Sequence, residues 1–388
     1  MLKLNAAMFC AALAAFTAIV TAFPRDTRTI ENENRSFNRF PEITGEGVFS
    51  GEFAGGIEPW ISDRVGRRAD FVSASMELAR LRGADALNGA YAPKFLSFTR
   101  AVPARVKDPL LVFDDRLMRI FSFDEALAAR YADTVNAYRA ALPESARIFS
   151  ILPPTQIEFM PERFRDISDP EQDAIIFVNA ALTDGITAVN AYGEIADSSE
   201  EYVYFRTDHH WTALGAYYAY IAFADAAGFA PKELSEYEIS AIPGFLGYYY
   251  NMEPSETLRA QPDTIYCYEY KGALTTSPPL LSPPGEGEKA TYGVFTGGDH
   301  PKLTIGTSVE NGKTAVVVKD SYANAFIPWL APHYESIVVL DPRHFEGSAL
   351  EVIGEYESVD LIFLDTAIIS ESAEYIDALS SMLTRVTD

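Results

Sequence analysis

Three short apolar runs stand close together near the end of the chain: Thr314 to Lys319, Ile337 to Leu340 and Leu361 to Leu364. Each is too short for a stable helix and shows no alternation with polar residues, so each reads as a strand covered on both faces. Helical stretches separate and follow them, near Asn324 to Leu330 and over residues 348–356 and 371–384. Parallel strands need a long crossover, commonly a helix, whereas antiparallel neighbours need only a turn. The same alternation begins earlier. A helix over 124–142, with Asp124 as N-cap and Pro143 as its stop, leads into a strand from Ile148 to Leu152. A helix over 170–183, a strand from Ile186 to Val189 and a helix from Thr212 to Gly228 come next. The pattern predicts an α/β protein with a parallel sheet and helices on both faces.

A chain of 388 residues, 48% of them apolar, is long enough for one main domain over residues 24–388. Tyr, Gly and Pro crowd residues 243–300, with Pro278-Pro279 and Pro283-Pro284, and predict a loop or small antiparallel insertion there. Residues 25–50 read as an extended lead-in, and helices are expected from Ile57 to Phe71 and from Ser73 to Arg82. The first 23 residues carry Lys3 and then run apolar from Leu4 to Phe23, as in a signal peptide or an N-terminal membrane anchor. Cys10 follows Met8 and Phe9, which are too large for a lipoprotein signal, and Cys267 between two tyrosines reads as a buried small hydrophobe. The body is therefore expected outside the cytoplasm, secreted or anchored on the outer face of the membrane by that segment alone. With 55 acidic against 31 basic residues, the net charge of −24 excludes nucleic acid as a partner.

Histidine is scarce, with five in the chain, yet two stand together in Asp208-His209-His210-Trp211, just before a helix. A histidine acting as a general base needs an acceptor that fixes its tautomer, and Asp208 is placed to supply one to His210. The same aspartate is also a natural helix cap, with His210 and Trp211 packing as a staple, so two roles are open to the segment. Ser321 lies in a strand-to-helix turn, Val318-Lys319-Asp320-Ser321-Tyr322-Ala323-Asn324. Open parallel sheets collect their sites at the carboxyl ends of strands, and a helix N-terminus presents N–H groups to an oxyanion. Ser321 thus reads as a nucleophile whose own N–H is an oxyanion donor, beside the plainer reading of an N-cap.

The segments from Thr207 to Tyr217 and from Val318 to Asn324 closely resemble the two signatures of bacterial DHHW proteins. The resemblance extends to Glu33-Asn34-Arg35 followed by Pro41, to Asp63 with Arg67, to Leu152-Pro153-Pro154 and to Asp341-Pro342-Arg343. DHHW proteins look like relatives of the alginate O-acetylation proteins, which have an SGNH-hydrolase-like domain. The resemblance implies a three-layer, flavodoxin-like sheet, with Ser321 as nucleophile, His210 as base and Asp208 as the orienting carboxylate. His209, Trp211, Tyr322 and Asn324 are expected to bind or support around them, Asn324 as a candidate oxyanion donor. The implied reaction is acetyl transfer or removal on a cell-envelope polysaccharide, without a cofactor or metal, using an acyl donor such as a membrane acyl-transfer protein. Lys319 departs from the typical hydrolase pattern, which has glycine before Asp-Ser, and its bulk is expected to reshape the oxyanion loop.

Two other functions compete. Asp208, His209 and His210 joined by His300 or His333 would make a metal-dependent hydrolase, although adjacent residues in a loop point in different directions and no histidine pair has the spacing of a known metal-site pattern. Alternatively, the chain binds glycan or organises an envelope assembly without catalysis, stacking sugar rings on the tyrosines at 248–250 and 266–270.

Overall fold

The structure is a computed structural model that describes residues 104–384, apart from residues 108, 114 and 161. The N-terminal apolar segment, the lead-in and the two helices expected between residues 57 and 82 lie outside the described residues.

A three-stranded antiparallel meander comes first: β1 (Ala104–Lys107), β2 (Leu110–Phe113) and β3 (Leu117–Arg119). Leu111, Phe113 and Met118 cover a small core of their own with Ile157, Met160 and Phe164. The strands that follow are β4 (Arg147–Ile151) and β5 (Ile186–Val189), a hairpin of β6 (Tyr237–Phe245) and β7 (Asp263–Tyr270), then β8 (Thr276–Ser277), β9 (Lys302–Thr307), β10 (Thr314–Lys319), β11 (Ser336–Leu340) and β12 (Val359–Leu364). Seven of these form one sheet in the order β5-β4-β12-β10-β11-β9-β8. It is parallel from β5 to β11, with β9 and β8 added antiparallel at one edge.

The helices used below are α1 (Glu125–Ala141), α2 (Glu171–Ala181), α3 (Ala191–Asp197), α4 (Ala213–Ala227), α5 (Ala323–Leu330), α6 (Ala349–Gly354) and α7 (Ala373–Thr384). Successive strand residues point to opposite faces, and both faces are buried. Val316, Val318, Val338, Leu340, Leu361 and Phe363 pack with α1, α2, α6 and α7, while Ala315, Val317, Ile337, Val339, Ile362 and Leu364 pack with α3, α4 and α5. The three-layer α/β architecture expected from sequence, a largely parallel sheet with helices on both faces, is the one present. The Tyr/Gly/Pro-rich region contributes to the antiparallel β6–β7 hairpin, which opens at Tyr237, ahead of the expected boundary, and supplies β8, antiparallel to β9. Cys267 is buried in that hairpin, and burial pushes its thiol up to about 11.

Two chain reversals matter for the site. Thr212 caps α4 by accepting the Gly215 N–H on its hydroxyl at 3.3 Å, so the cap role open to Asp208 falls to Thr212. At the other end of α4, Gly228 adopts φ 78, the left-handed conformation that suits glycine.

Candidate active site

The Asp320-Ser321-Tyr322 turn joins the carboxyl end of β10 to α5, and its own aspartate fixes it. Asp320 Oδ1 accepts the Tyr322 N–H at 2.9 Å, while Oδ2 accepts both the N–H and the hydroxyl of Thr366 at 2.9 Å, beyond the end of β12. The Ser321 N–H has no hydrogen-bond partner among the described residues, so it is available to an incoming oxyanion.

The second loop is pinched shut by a Tyr204–Trp211 bridge, with the Thr212 N–H donating to Val203 O at 2.9 Å. Asp263, 1% exposed at the start of β7, anchors it: Oδ2 accepts the Arg206 N–H at 3.0 Å, the Thr207 N–H at 2.9 Å and the Thr207 hydroxyl at 2.6 Å. Tyr248 N–H donates to Asp208 Oδ2 at 2.7 Å. Its neighbour Gly247 approaches so closely that a Cβ there would lie 2.2 Å from the Asp208 Cβ, which leaves room only for glycine.

The two loops meet. His210 Nδ1 lies 2.6 Å from Asp208 Oδ1, and His210 Nε2 lies 2.7 Å from Ser321 Oγ. Trp211 Nε1–H donates to Tyr322 O at 2.8 Å, and the Tyr322 hydroxyl donates back to His209 O, so two bonds lock the loops together. Asp208 is 4% exposed and His210 6%. Burial opposes the Asp208 charge, yet the neighbouring His209 and His210, with the hydrogen bonds from His210 and the Tyr248 N–H, hold its carboxyl well below the usual carboxylate range. An ionised Asp208 only accepts, so the imidazole proton sits on Nδ1 and Nε2 is left as the acceptor for the Ser321 hydroxyl.

The remaining sequence-predicted residues are placed less simply. His209 is one-third exposed, with its ring 5.5 Å from Tyr248 and 5.8 Å from Tyr249; burial and then His210 hold it below the ordinary histidine range. Trp211 and Tyr322 are buried and tie the loops together rather than presenting a surface to a ligand. Asn324, expected as an oxyanion donor, is 1% exposed, and its Nδ2 donates instead to Asp299 Oδ1 at 2.8 Å. Lys319 does not crowd the oxyanion turn as expected. Its ammonium lies 2.5 Å from Asp299 and 3.2 Å from Asp341, and Arg343 bridges the same two carboxylates. His300 and His333 stand apart from Asp208 to His210: His300 Nε2 lies 3.0 Å from Thr296 O and His333 Nε2 lies 2.7 Å from the Tyr220 hydroxyl. Sequence reading missed Gly247, Asp263 and the Asp299 network. The one signal that pointed to the network was the resemblance through Asp341-Pro342-Arg343.

Thr366, which Asp320 holds, follows the fully buried Asp365, whose carboxylate accepts from the Tyr131 hydroxyl at 2.9 Å and from that of Tyr375. Burial and then the charge of Asp320 push Asp365 up to about 8, against the two tyrosine hydrogen bonds. The ordinary value is 3.8, so the folded state holds a proton that the unfolded chain releases. That contribution to stability is complete below about pH 4 and is lost as the pH rises through about 8. Asp365→Asn is expected to flatten the corresponding fall in melting temperature across this window, and parallel melting curves for the two proteins would contradict it.

Fold and site together define a three-layer α/β protein with a Ser-His-Asp constellation at the carboxyl end of its central strand. Residues 103–276 match the model of the DHHW protein family, and the chain is related to that family. A DHHW family protein from Eubacterium siraeum is 27% identical with a TM-score of 0.68, covering 74% of this chain and 99% of its own. Bacillus cereus PatB1, solved with a sulfonyl adduct, is 17% identical with a TM-score of 0.58, over 71% of this chain and 99% of its own; that likeness is one of fold. The O-acetyltransferase domain of Pseudomonas putida AlgJ also matches, at 14% identity and a TM-score of 0.39, over 72% of this chain and 99% of its own. No curated protein matches.

Proposed function

We propose that this chain is an exported serine-dependent acyl-ester enzyme, an O-acetyltransferase or O-acetylesterase acting on a cell-envelope polysaccharide. The observation that carries the reading is the continuous line from Asp208 Oδ1 through His210 to Ser321 Oγ, at 2.6 and 2.7 Å. In this mechanism Ser321 Oγ attacks the acyl carbonyl carbon while His210 Nε2 takes its proton and Asp208 balances the imidazolium. The Ser321 N–H stabilises the oxyanion. Collapse breaks the ester C–O bond, and His210 returns the proton to the leaving alcohol. Water or a sugar hydroxyl then takes the acyl group from Ser321 by the reverse proton path, giving hydrolysis or transfer.

The polysaccharide rests on the resemblance to the alginate O-acetylation proteins, and on the half-buried Tyr248 beside the one-third exposed His209. Export rests on the apolar run from Leu4 to Phe23. Among the described residues, no helix is long and apolar enough to cross a membrane.

Treating the full chain with phenylmethylsulfonyl fluoride and mapping peptides by mass is expected to place the adduct on Ser321, with or without a chelator, and nowhere in Ser321→Ala. A folded wild-type protein that stays unlabelled at Ser321 sinks the reading in favour of a non-catalytic envelope protein.

A further inference from the structure

The imidazole of His210 is enclosed on both sides. The Tyr292 ring lies flat on it, with centroids 3.6 Å apart and planes 8° from parallel. The His209 ring lies 3.8 Å away at 37°. Two rings that close to one centroid cannot share a face, so they take opposite faces. Tyr292 itself has little freedom: it is 8% exposed, edge-on to Phe205 at 6.2 Å and to Phe295 at 5.2 Å. Its hydroxyl donates to Tyr322 O at 3.2 Å, the same carbonyl that accepts Trp211 Nε1–H.

We propose that Tyr292 is a positioning residue for His210, its ring face holding the imidazole in the plane of Asp208 and Ser321 and stabilising the imidazolium that forms when the serine proton is taken. The inference rests on the acyl-enzyme reading for its purpose, but its physical content is a property of two rings. A ring that slides on a flat neighbour can still rotate in that plane, and the bond to Asp208 stops this rotation. A phenol face carries negative potential, so it attracts a cation placed over it. Burial first, and then the nearby Asp208, raise the Tyr292 hydroxyl well above its ordinary value, so the ring stays a neutral phenol. The groups around His210 are Asp208 on its own loop, His209 on the other face, and Tyr322 with its ring 5.4 Å away; Arg343 and Asp299 act through His209.

The experiment keeps the ring and changes its face. In the full chain, Tyr292→Phe retains the quadrupole, pentafluorophenylalanine at position 292 reverses it at nearly the same shape, and Tyr292→Leu removes it. Two readouts are followed: the pH dependence of Ser321 labelling by phenylmethylsulfonyl fluoride, and the imidazole titration of His210 by NMR. Tyr292→Phe is expected to label within about twofold of wild type. The fluorinated ring is expected to slow labelling about tenfold and to move the acid limb and the imidazole titration about half to one pH unit lower. Tyr292→Leu, which also frees the ring plane, is expected to lose about 10²-fold. If the fluorinated ring and Tyr292→Leu titrate as wild type does, the inference is overturned, whether or not Tyr292→Leu folds well. An unlabelled Ser321 in the wild type counts against the acyl-enzyme reading alone, because the imidazole titration still decides this one.

Discussion

Asp208→Asn is expected to lower Ser321-dependent acyl turnover by about 10⁴-fold while leaving the protein folded. The reason lies in what each oxygen of Asp208 accepts. Oδ1 receives the backbone N–H of His210 at 3.0 Å and the Nδ1–H at 2.6 Å, and Oδ2 receives the Tyr248 N–H at 2.7 Å. An asparagine must turn its NH₂ toward one of these donors. Toward Tyr248, donor meets donor in a site where a Cβ on Gly247 would already collide with Asp208. Toward His210, the amide donates to Nδ1 and drives the imidazole proton onto Nε2, which then faces Ser321 as a donor and no longer serves as a base. His210→Ala removes the proposed base outright and is expected to reduce kcat about 10⁴- to 10⁶-fold; combining the two changes is expected to add little, because residues acting as one unit are not additive. Steady-state kinetics on an activated acetyl ester, with far-UV circular dichroism to show folding, checks both. A multiplicative loss in the double variant would mean that Asp208 and His210 act separately.

How far the sequence discloses this arrangement follows from the range of the interactions. β10, β11 and β12 are readable because both faces of each strand are buried, so their apolar runs are unbroken. β1 to β3 are three or four residues each and leave no period to detect. β9, the antiparallel strand beside β11, has one buried residue, Ile305, in Lys302–Thr307, too weak a pattern to stand out from a loop. Within the site, scarcity makes His210 conspicuous, and the strand–turn–helix context singles out Ser321. Gly247, Asp263 and Tyr292 come from the Tyr/Gly/Pro-rich region and act across long separations: Tyr248 reaches Asp208 from 40 residues away and Asp263 reaches Thr207 from 56. No local spacing encodes such a contact. Asn324 reads as a candidate oxyanion donor only until the fold places Asp299 against it.

Lys319→Met is expected to destabilise the protein by about 3–5 kcal/mol, since removing one partner of a buried ion pair leaves its counter-charge without compensation. Lys319 is 1% exposed at the last position of β10, and its ammonium lies 2.5 Å from Asp299 and 3.2 Å from Asp341. Two cations and two carboxylates balance in this cluster; without Lys319, Arg343 alone faces both. Although burial opposes it, the Lys319 and Arg343 charges and the hydrogen bonds from Lys319 and Asn324 hold Asp299 well below the usual carboxylate range. A depressed carboxylate contributes stability that is present above its unfolded value, near 3.8, and is lost as the pH falls through the lower folded value. The gap in melting temperature between wild type and Lys319→Met is therefore expected to be widest near neutrality, roughly 10 °C, and to narrow below about pH 4. Adding Asp299→Asn removes the stranded charge and is expected to restore part of the loss, which a double-mutant cycle measures. Asp299 also accepts from Asn324, so the cluster braces the Ser321 turn from both flanks, and Ser321 labelling is expected to slow in Lys319→Met even where the protein remains folded. A Lys319→Met protein that melts within 2–3 °C of wild type at neutral pH would show that the pair's attraction does no more than offset its desolvation.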